Sequence, residues 1–354
     1  MCPSRLNYCT KVVEHIGLEG YFDSQSKKYM EQIEDYLKLD PKRRDTSTSQ
    51  LITTFSLSEN GRTLSKRLRV QRIYLRDEYK KTNTKEDLVK NLAIASKFYN
   101  IWNLSNKNPD EIIINELKND KVALTCLQVL AKKHIISIAL LSRFYSKSLL
   151  EDSDAIDFRD VIKAVTAFFV LWGSARTGTA GIDNCYRELM SKGIKNPRIN
   201  VEQEQNKIPP FCRQKNVDDI NLEVLKKAFR YFLFEGATDK AKIYSKETWL
   251  SKIKNINIYT ESKEVCKLMP ISAFDGVVPS GQGIGLVEEA RSGVSETLNK
   301  GFDYSFFQSI EHISPQRNNW SGVTDERKHA LGNLTLLPIS TNSSVGNQEL
   351  KEKM

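Results

Sequence analysis

Residues 309–316 read SIEHISPQ, and this short stretch decides how the C-terminal part of the chain is interpreted. Apolar residues flank the acid–histidine pair Glu311 and His312, which is typical of a short strand with the pair at its end. Pro315 stops the strand, because proline has no N–H group to donate to a neighbouring strand. Adjacent residues of a strand point to opposite faces, so Glu311 and His312 can converge on one site only if the strand ends or twists there, as Pro315 suggests.

A second stretch, GNLTLL at residues 332–337, follows after a polar segment. Its Gly-Asn pair is a turn signal, and the apolar residues after it predict a second strand. Residues 340–344 are rich in helix-capping residue types, so a helix is expected over residues 345–353. The order is therefore strand, loop, strand and helix, a ββα unit in under fifty residues.

This unit resembles the HNH, or His-Me finger, nucleases, which carry Asp/Glu-His-Ile-x-Pro on the first strand and Asn on the second strand and the helix. Residues 310–353 are similar to the nuclease domain of GmrSD-type modification-dependent restriction endonucleases. The motifs that carry this resemblance are Glu-His-Ile-x-Pro-Gln, Gly-Asn-Leu-Thr-Leu-Leu and Asn-Ser-x-x-x-Asn. Those bacterial anti-phage proteins couple a ParB-like, nucleotide-hydrolysing domain to an HNH domain. No Asp-Gly-Gln-Gln-Arg signature of the ParB-like part occurs here, so we expect either that this domain is encoded elsewhere or that the chain is the C-terminal part of a larger protein.

The resemblance assigns roles to particular residues. His312 is the expected general base, since a neutral imidazole near its ordinary pKa can take a proton from water at neutral pH. Glu311 and the side-chain carbonyl of Asn342 are the expected oxygen ligands of one divalent ion, Mg²⁺ or Mn²⁺. Asn333 is expected to support catalysis by tying the loop and orienting the histidine. Asn347 and Lys351 are expected to face phosphates from the helix.

A basic segment at residues 62–81 is a second candidate for contact with nucleic acid. Leu64, Leu68, Leu75 and Tyr79 give it an apolar face at helical spacing, and cations crowd the remainder. The residues expected to follow a phosphate backbone are Arg62, Lys66, Arg67, Arg69 and Arg72. The alternative is an ordinary solvated helix face, and the sequence leaves both interpretations open.

Composition narrows the class of protein without deciding it. The formal net charge of +9 favours a polyanionic partner, and the scattered cysteines argue against a zinc cluster or a disulfide framework. Residues 164–172 form the longest apolar run, far shorter than a membrane span, so a buried helix, no membrane partner and a cytoplasmic location are expected. The remaining histidines, His15, His134 and His329, are expected to be surface or satisfied residues.

The expected fold is mainly α, with a helical bundle region before the small C-terminal ββα-metal unit. The predicted domains are a helical domain over residues 1–192, a linker and second helical region over residues 193–295, and the nuclease unit over residues 296–354. Residues 193–222 are polar and contain prolines, which predicts a linker or long loop. Residues 51–57 fit either a brief strand or the end of a helix.

The expected function is metal-dependent cleavage or nicking of DNA in restriction of phage. If the resemblance extends to targets, modified phage DNA is the substrate class. Two alternatives remain at this point: a non-catalytic DNA-binding or partner-docking subunit that keeps the motif as a scaffold, and an HNH enzyme that acts on RNA. The residues alone do not separate them.

Overall fold

The computed structural model describes residues 28–29, 31–33, 35, 44–81, 85–107, 117, 120–149, 155–176, 178–195, 207–212, 220–235, 242–282, 287–291, 293–294, 296–307, 309–314, 324 and 327–339. Its α-helices are α1 (Arg44–Asn60), α2 (Leu68–Lys81), α3 (Lys85–Lys107), α4 (Lys121–Lys133), α5 (Ser137–Ser148), α6 (Ala155–Ala175), α7 (Ile182–Ser191), α8 (Leu222–Glu235), α9 (Lys246–Ile253), α10 (Ile258–Glu261) and α11 (Lys263–Asp275). Its strands are β1 (Ile194–Lys195), β2 (Lys207–Ile208), β3 (Val277–Pro279), β4 (Val287–Glu289), β5 (Ser309–His312) and β6 (Leu334–Leu337). The prediction of a mainly α protein is confirmed.

Several helices begin or end at a capping residue. The Asp120 carboxylate accepts a hydrogen bond from the N–H of Ala123 at 2.9 Å and so opens α4. At the other end of a helix, Gly61 follows α1 with a φ of 64°. Its N–H donates to Leu57 O at 3.0 Å, and the N–H of Arg62 donates to Ser56 O at 3.3 Å. Residues 51–57 therefore belong to a helix, the second of the two alternatives.

The chain divides into two compact units, each assembled from separate stretches. The first comprises Met1–Ile112, Ile135–Val161 and Asp183–Ala228. Its core includes the fully buried rings of Phe98, Tyr145 and Phe158. The centroid of the Phe98 ring lies 5.4 Å from that of Tyr145 and 6.0 Å from that of Phe158, distances at which aromatic pairs stabilise a core beyond the area they bury.

The second unit comprises Ile113–His134, Ile162–Ile182 and Phe229–Met354, and it contains β5 and β6. In its core Phe168 of α6 stacks on Phe229 of α8 with ring centroids 4.2 Å apart. The hydroxyl of Thr125 in α4 donates to Leu298 O at 2.9 Å, and Phe302 N donates to the side chain of Gln128 at 3.3 Å. The segment that leads into β5 is thus fastened to α4.

In the described part of the chain the strands form three two-stranded antiparallel sheets, β1–β2, β3–β4 and β5–β6. The first lies within residues 193–222, where the sequence predicted a linker or long loop. Ile194 pairs with Ile208, and the N–H of Phe211 donates to Leu189 O at 2.9 Å. Isolated apolar residues anchor this otherwise polar stretch, because Ile194 and Phe211 are buried. The predicted domain boundaries themselves stay predictions.

Candidate active site

The strand pair β5–β6 carries the acid–histidine pair. Glu311 lies opposite Thr335, and His312, the last residue of β5, lies opposite Leu334. Both strands fall where the sequence predicted them. Adjacent residues of a strand point to opposite faces, and the two side chains differ accordingly, since Glu311 is half-buried whereas His312 is 3% exposed.

Asn333 ties together the two ends of the segment between the strands. Its side-chain oxygen accepts from Ser314 N at 2.8 Å, and its amide nitrogen donates to Lys328 O at 2.8 Å and to Ser314 O at 3.3 Å. Its own backbone oxygen accepts from the N–H of Ile313 at 2.9 Å. Because Asn333 is buried, these bonds are shielded from competing water. Asn333 therefore holds the backbone directly after His312.

His312 hydrogen bonds to a second histidine. Its Nε2 lies 3.0 Å from Nδ1 of His329, and the two rings are nearly perpendicular, with an interplanar angle of 83°. His329 is half-buried and lies in the turn that leads to Asn333. The sequence grouped His329 with ordinary surface or satisfied histidines, whereas the structure places it against the expected general base.

Tyr259 of α10 packs against both histidines. Its ring stacks on His329 with a centroid distance of 5.5 Å and an interplanar angle of 11°, and it meets His312 edge-on at 4.7 Å. The backbone N–H of Tyr259 also donates to His329 O at 3.3 Å. No motif in the sequence indicated Tyr259, because the fold brings it to β5 from a distant part of the chain.

The described residues supply only part of the ligand set that a divalent ion needs. Glu311 offers one carboxylate, the kind of oxygen ligand that Mg²⁺ prefers. Asn342, Asn347 and Lys351 lie outside the described residues. In the part of the chain that the structure describes, no group of three or more His, Cys, Asp and Glu residues could hold a metal ion. Glu311 alone does not make a metal site, and the predicted ββα-metal unit remains a proposal.

A cleft of about 870 Å³ opens beside Asn333. The C-terminal half of α9 and the turn that contains Arg327 and Gly332 line it, together with Lys254 and Asn255. Lys254 and Arg327 are exposed, so two cations border the cleft close to the loop that Asn333 clamps.

The basic segment is largely the helix α2, as the sequence predicted. Lys66, Arg67, Arg69 and Arg72 are exposed, whereas Tyr74, Leu75 and Tyr79 are buried. The guanidinium of Arg62 lies 3.3 Å from the carboxylate of Glu78. Part of its charge is therefore neutralised within the protein.

Among the described residues, no helix is both long and apolar enough to cross a membrane.

Comparison with known proteins finds a family match in the C-terminal part of the chain. Residues 286–354 match the family of GmrSD restriction endonucleases, C-terminal domain. The matched range contains β5, β6 and all the predicted residues of the acid–histidine site. No curated protein matches the chain. The resemblance inferred from the sequence motif is confirmed for this C-terminal region.

Proposed function

We propose that this chain is an HNH-type, metal-dependent endonuclease that cleaves or nicks DNA in the restriction of phage or modified foreign DNA. One observation carries the proposal: His312 ends β5 as a buried imidazole held by a second histidine, inside a range that matches a restriction endonuclease domain.

In the proposed reaction, the oxygen of a water molecule attacks the phosphorus of a phosphodiester while His312 takes one of its protons. The bond from phosphorus to the leaving oxygen then breaks, and that oxygen leaves with the bonding electrons and takes a proton from solvent. Asn333 contributes by fixing the backbone of Ile313 and Ser314, which keeps the imidazole in place. Positioned general bases typically accelerate such steps by roughly 10²–10⁴-fold.

Glu311 and Asn342 are the proposed ligands of Mg²⁺ or Mn²⁺. A divalent ion in such a site would neutralise negative charge that develops on the phosphate. The proposal rests on the sequence motif for Asn342 and on the position of Glu311 beside His312 in β5.

DNA is the proposed substrate because the matched family is one of restriction endonucleases and the chain carries a net charge of +9. The proposed phosphate contacts of the first unit are Arg62, Lys66, Arg67, Arg69 and Arg72. Asn347 and Lys351 are proposed for the C-terminal segment. A ParB-like, nucleotide-hydrolysing domain or subunit is the proposed partner, and modified phage DNA the proposed target.

Nicking of supercoiled plasmid by the purified chain tests the proposal. We expect nicking in Mg²⁺ or Mn²⁺ and none in EDTA, and we expect His312→Ala to lower the rate at least about a hundredfold. Glu311→Gln should lower it in the same assay, whereas Glu289→Gln, which changes an exposed carboxylate on β4, should leave it unchanged. Undiminished cleavage by His312→Ala would overturn the assignment of the base.

A second candidate function is DNA binding without cleavage, with the nuclease motif kept as a scaffold. The exposed cations of α2 favour it, because such a surface binds a phosphate backbone whether or not a bond is cut. This function predicts salt-sensitive binding of DNA by the wild type and no nicking with any divalent ion, even with a ParB-like subunit added.

A further inference from the structure

The hydrogen bond between the two histidines constrains where protons sit. A neutral imidazole carries a proton on one nitrogen and a lone pair on the other. Nε2 of His312 and Nδ1 of His329 lie 3.0 Å apart, so one of the two nitrogens donates and the other accepts. The bond therefore allows two arrangements, and only one of them suits a base at His312.

If Nδ1 of His329 donates, Nε2 of His312 must accept, and the single proton of a neutral His312 then resides on Nδ1. That tautomer has no lone pair left to take a proton from water. If Nδ1 of His329 accepts, His312 carries its proton on Nε2, and Nδ1 has the lone pair. Which nitrogen of a histidine is protonated is set by the hydrogen bond that the other nitrogen makes.

We propose that His329 is a positioning residue: its Nδ1 accepts a hydrogen bond from Nε2–H of His312, and so fixes the orientation and the tautomer in which Nδ1 of His312 acts as the base. This inference rests on the proposed nuclease function and extends it to a residue outside the sequence motif. His329 touches neither substrate nor metal in this scheme and acts through His312.

His329 is itself held in a way that suits this role. The N–H of Tyr259 donates to His329 O at 3.3 Å, and the Tyr259 ring stacks on the imidazole with an interplanar angle of 11°. The same ring meets His312 edge-on at 4.7 Å. Tyr259 thus restrains the backbone of one histidine and the rings of both, which limits rotation of His329 away from its partner.

A purely structural role makes a different prediction, in which the stacking of His329 on Tyr259 matters and its nitrogen does not. Two substitutions separate the roles. His329→Asn places an amide oxygen where Nδ1 stood and so keeps an acceptor, but loses the ring. His329→Phe keeps a ring to stack on Tyr259 but loses the acceptor.

We expect His329→Phe to lower the nicking rate about 10- to 100-fold, the range typical of partners that orient a functional histidine. His329→Asn should recover most of that loss. The opposite order, with Phe active and Asn impaired at equal thermal stability, would overturn the proposal. Circular dichroism melting curves of both variants identify any loss that comes from unfolding.

Nitrogen NMR of the histidine rings gives a readout that needs no activity. The chain has four histidines, so the His312 ring signals can be assigned by their absence in His312→Ala. We expect the Nε2–H tautomer of His312 in the wild type and in His329→Asn, and a mixture of tautomers in His329→Phe. An Nδ1–H tautomer in the wild type would contradict the inference even if the protein nicks DNA. The expected tautomer in a protein that fails to nick would contradict the nuclease function alone.

Discussion

Asn333 is the residue on which the local structure of the site most depends. Replacing it by alanine removes the hydrogen bonds to Ser314 and Lys328 and leaves buried backbone groups without partners. Each such group costs about 1–3 kcal/mol. We therefore expect Asn333→Ala to lower the free energy of unfolding by about 3 kcal/mol, measured by urea denaturation.

The same substitution should abolish plasmid nicking, because the backbone that follows His312 is no longer fixed. Asn299→Ala is the matched control, since Asn299 is half-buried in the middle of a short helical turn outside the site. It should change the free energy of unfolding by less than about 0.5 kcal/mol. Equal stability of Asn333→Ala and wild type would contradict the role assigned to the clamp.

His134 gives a prediction about pH. Burial lowers the pKa of His134 to about 3, and its ring stacks on Phe169 with centroids 5.0 Å apart. In the unfolded chain the pKa is about 6.5, so the unfolded state binds the extra proton between these two values. The stability contributed by the neutral ring should therefore be fully present above about pH 6.5 and fall as the pH drops towards 3, by about 1.4 kcal/mol per pH unit at most.

His134→Phe removes this titration while keeping an aromatic ring against Phe169. Urea denaturation of the two proteins between pH 4 and pH 7 should give a steeper loss of stability for the wild type. Parallel curves would show that His134 does not contribute to the acid sensitivity.

Among the elements, the junction of α7 and β1 depends on a single glycine. Gly193 has a φ of 69°, and a Cβ atom there would lie 2.2 Å from Ile208 O, the carbonyl of the paired strand β2. Gly193→Ala is therefore expected to lower the free energy of unfolding by about 3 kcal/mol or more. Gly281→Ala is the control, because a Cβ at Gly281 meets nothing within 4 Å.

The exposed cations of α2 lead to a prediction about DNA binding. We expect the double substitution of Arg69 and Arg72 by Glu to weaken binding to plasmid-length DNA and to reduce the slope of log affinity against log salt by about 2. The matched control reverses two exposed cations of α8, Lys227 and Arg230. An equal effect of both pairs would indicate that total charge, and not α2, governs binding.

At the scale of the whole molecule, the range matched by the restriction endonuclease family depends on residues far upstream. The backbone carbonyl of Leu298 accepts a hydrogen bond from the hydroxyl of Thr125, and the N–H of Leu298 donates to the carboxylate of Asp275. The N–H of Phe302 donates to the side chain of Gln128. Tyr259 packs on the histidine pair from α10. A fragment of residues 286–354 lacks all of these partners.

We therefore expect the isolated fragment to show no cooperative urea transition and no nicking, whereas the full chain shows a cooperative one. Amide NMR spectra of the fragment should have the narrow dispersion of an unfolded chain. A well-dispersed spectrum from a fragment that also nicks DNA would contradict the claim that residues 286–354 depend on α4, α10 and α11 to fold.

The sequence predicted what short-range patterns determine. Flanking apolar residues and Pro315 located β5, the Gly-Asn turn and the alternation after it located β6, and helical spacing located α2. The sequence did not predict contacts between distant parts of the chain. Tyr259 belongs to no motif, and only its distance to His312 shows that His329 is part of the site. The β1–β2 pair was not predicted either, because two-residue strands in a polar stretch show almost no periodicity.

The clamp formed by Asn333 also separates two properties that are usually linked, namely the geometry of the histidine pair and the length of the chain around it. Ser314 and Lys328 are joined through one side chain, so the two ends of the sequence between them are already fixed. Lengthening a loop whose ends are held costs little, about 0.6 kcal/mol for each doubling. We therefore expect insertions between these two residues to leave the geometry of the histidine pair unchanged.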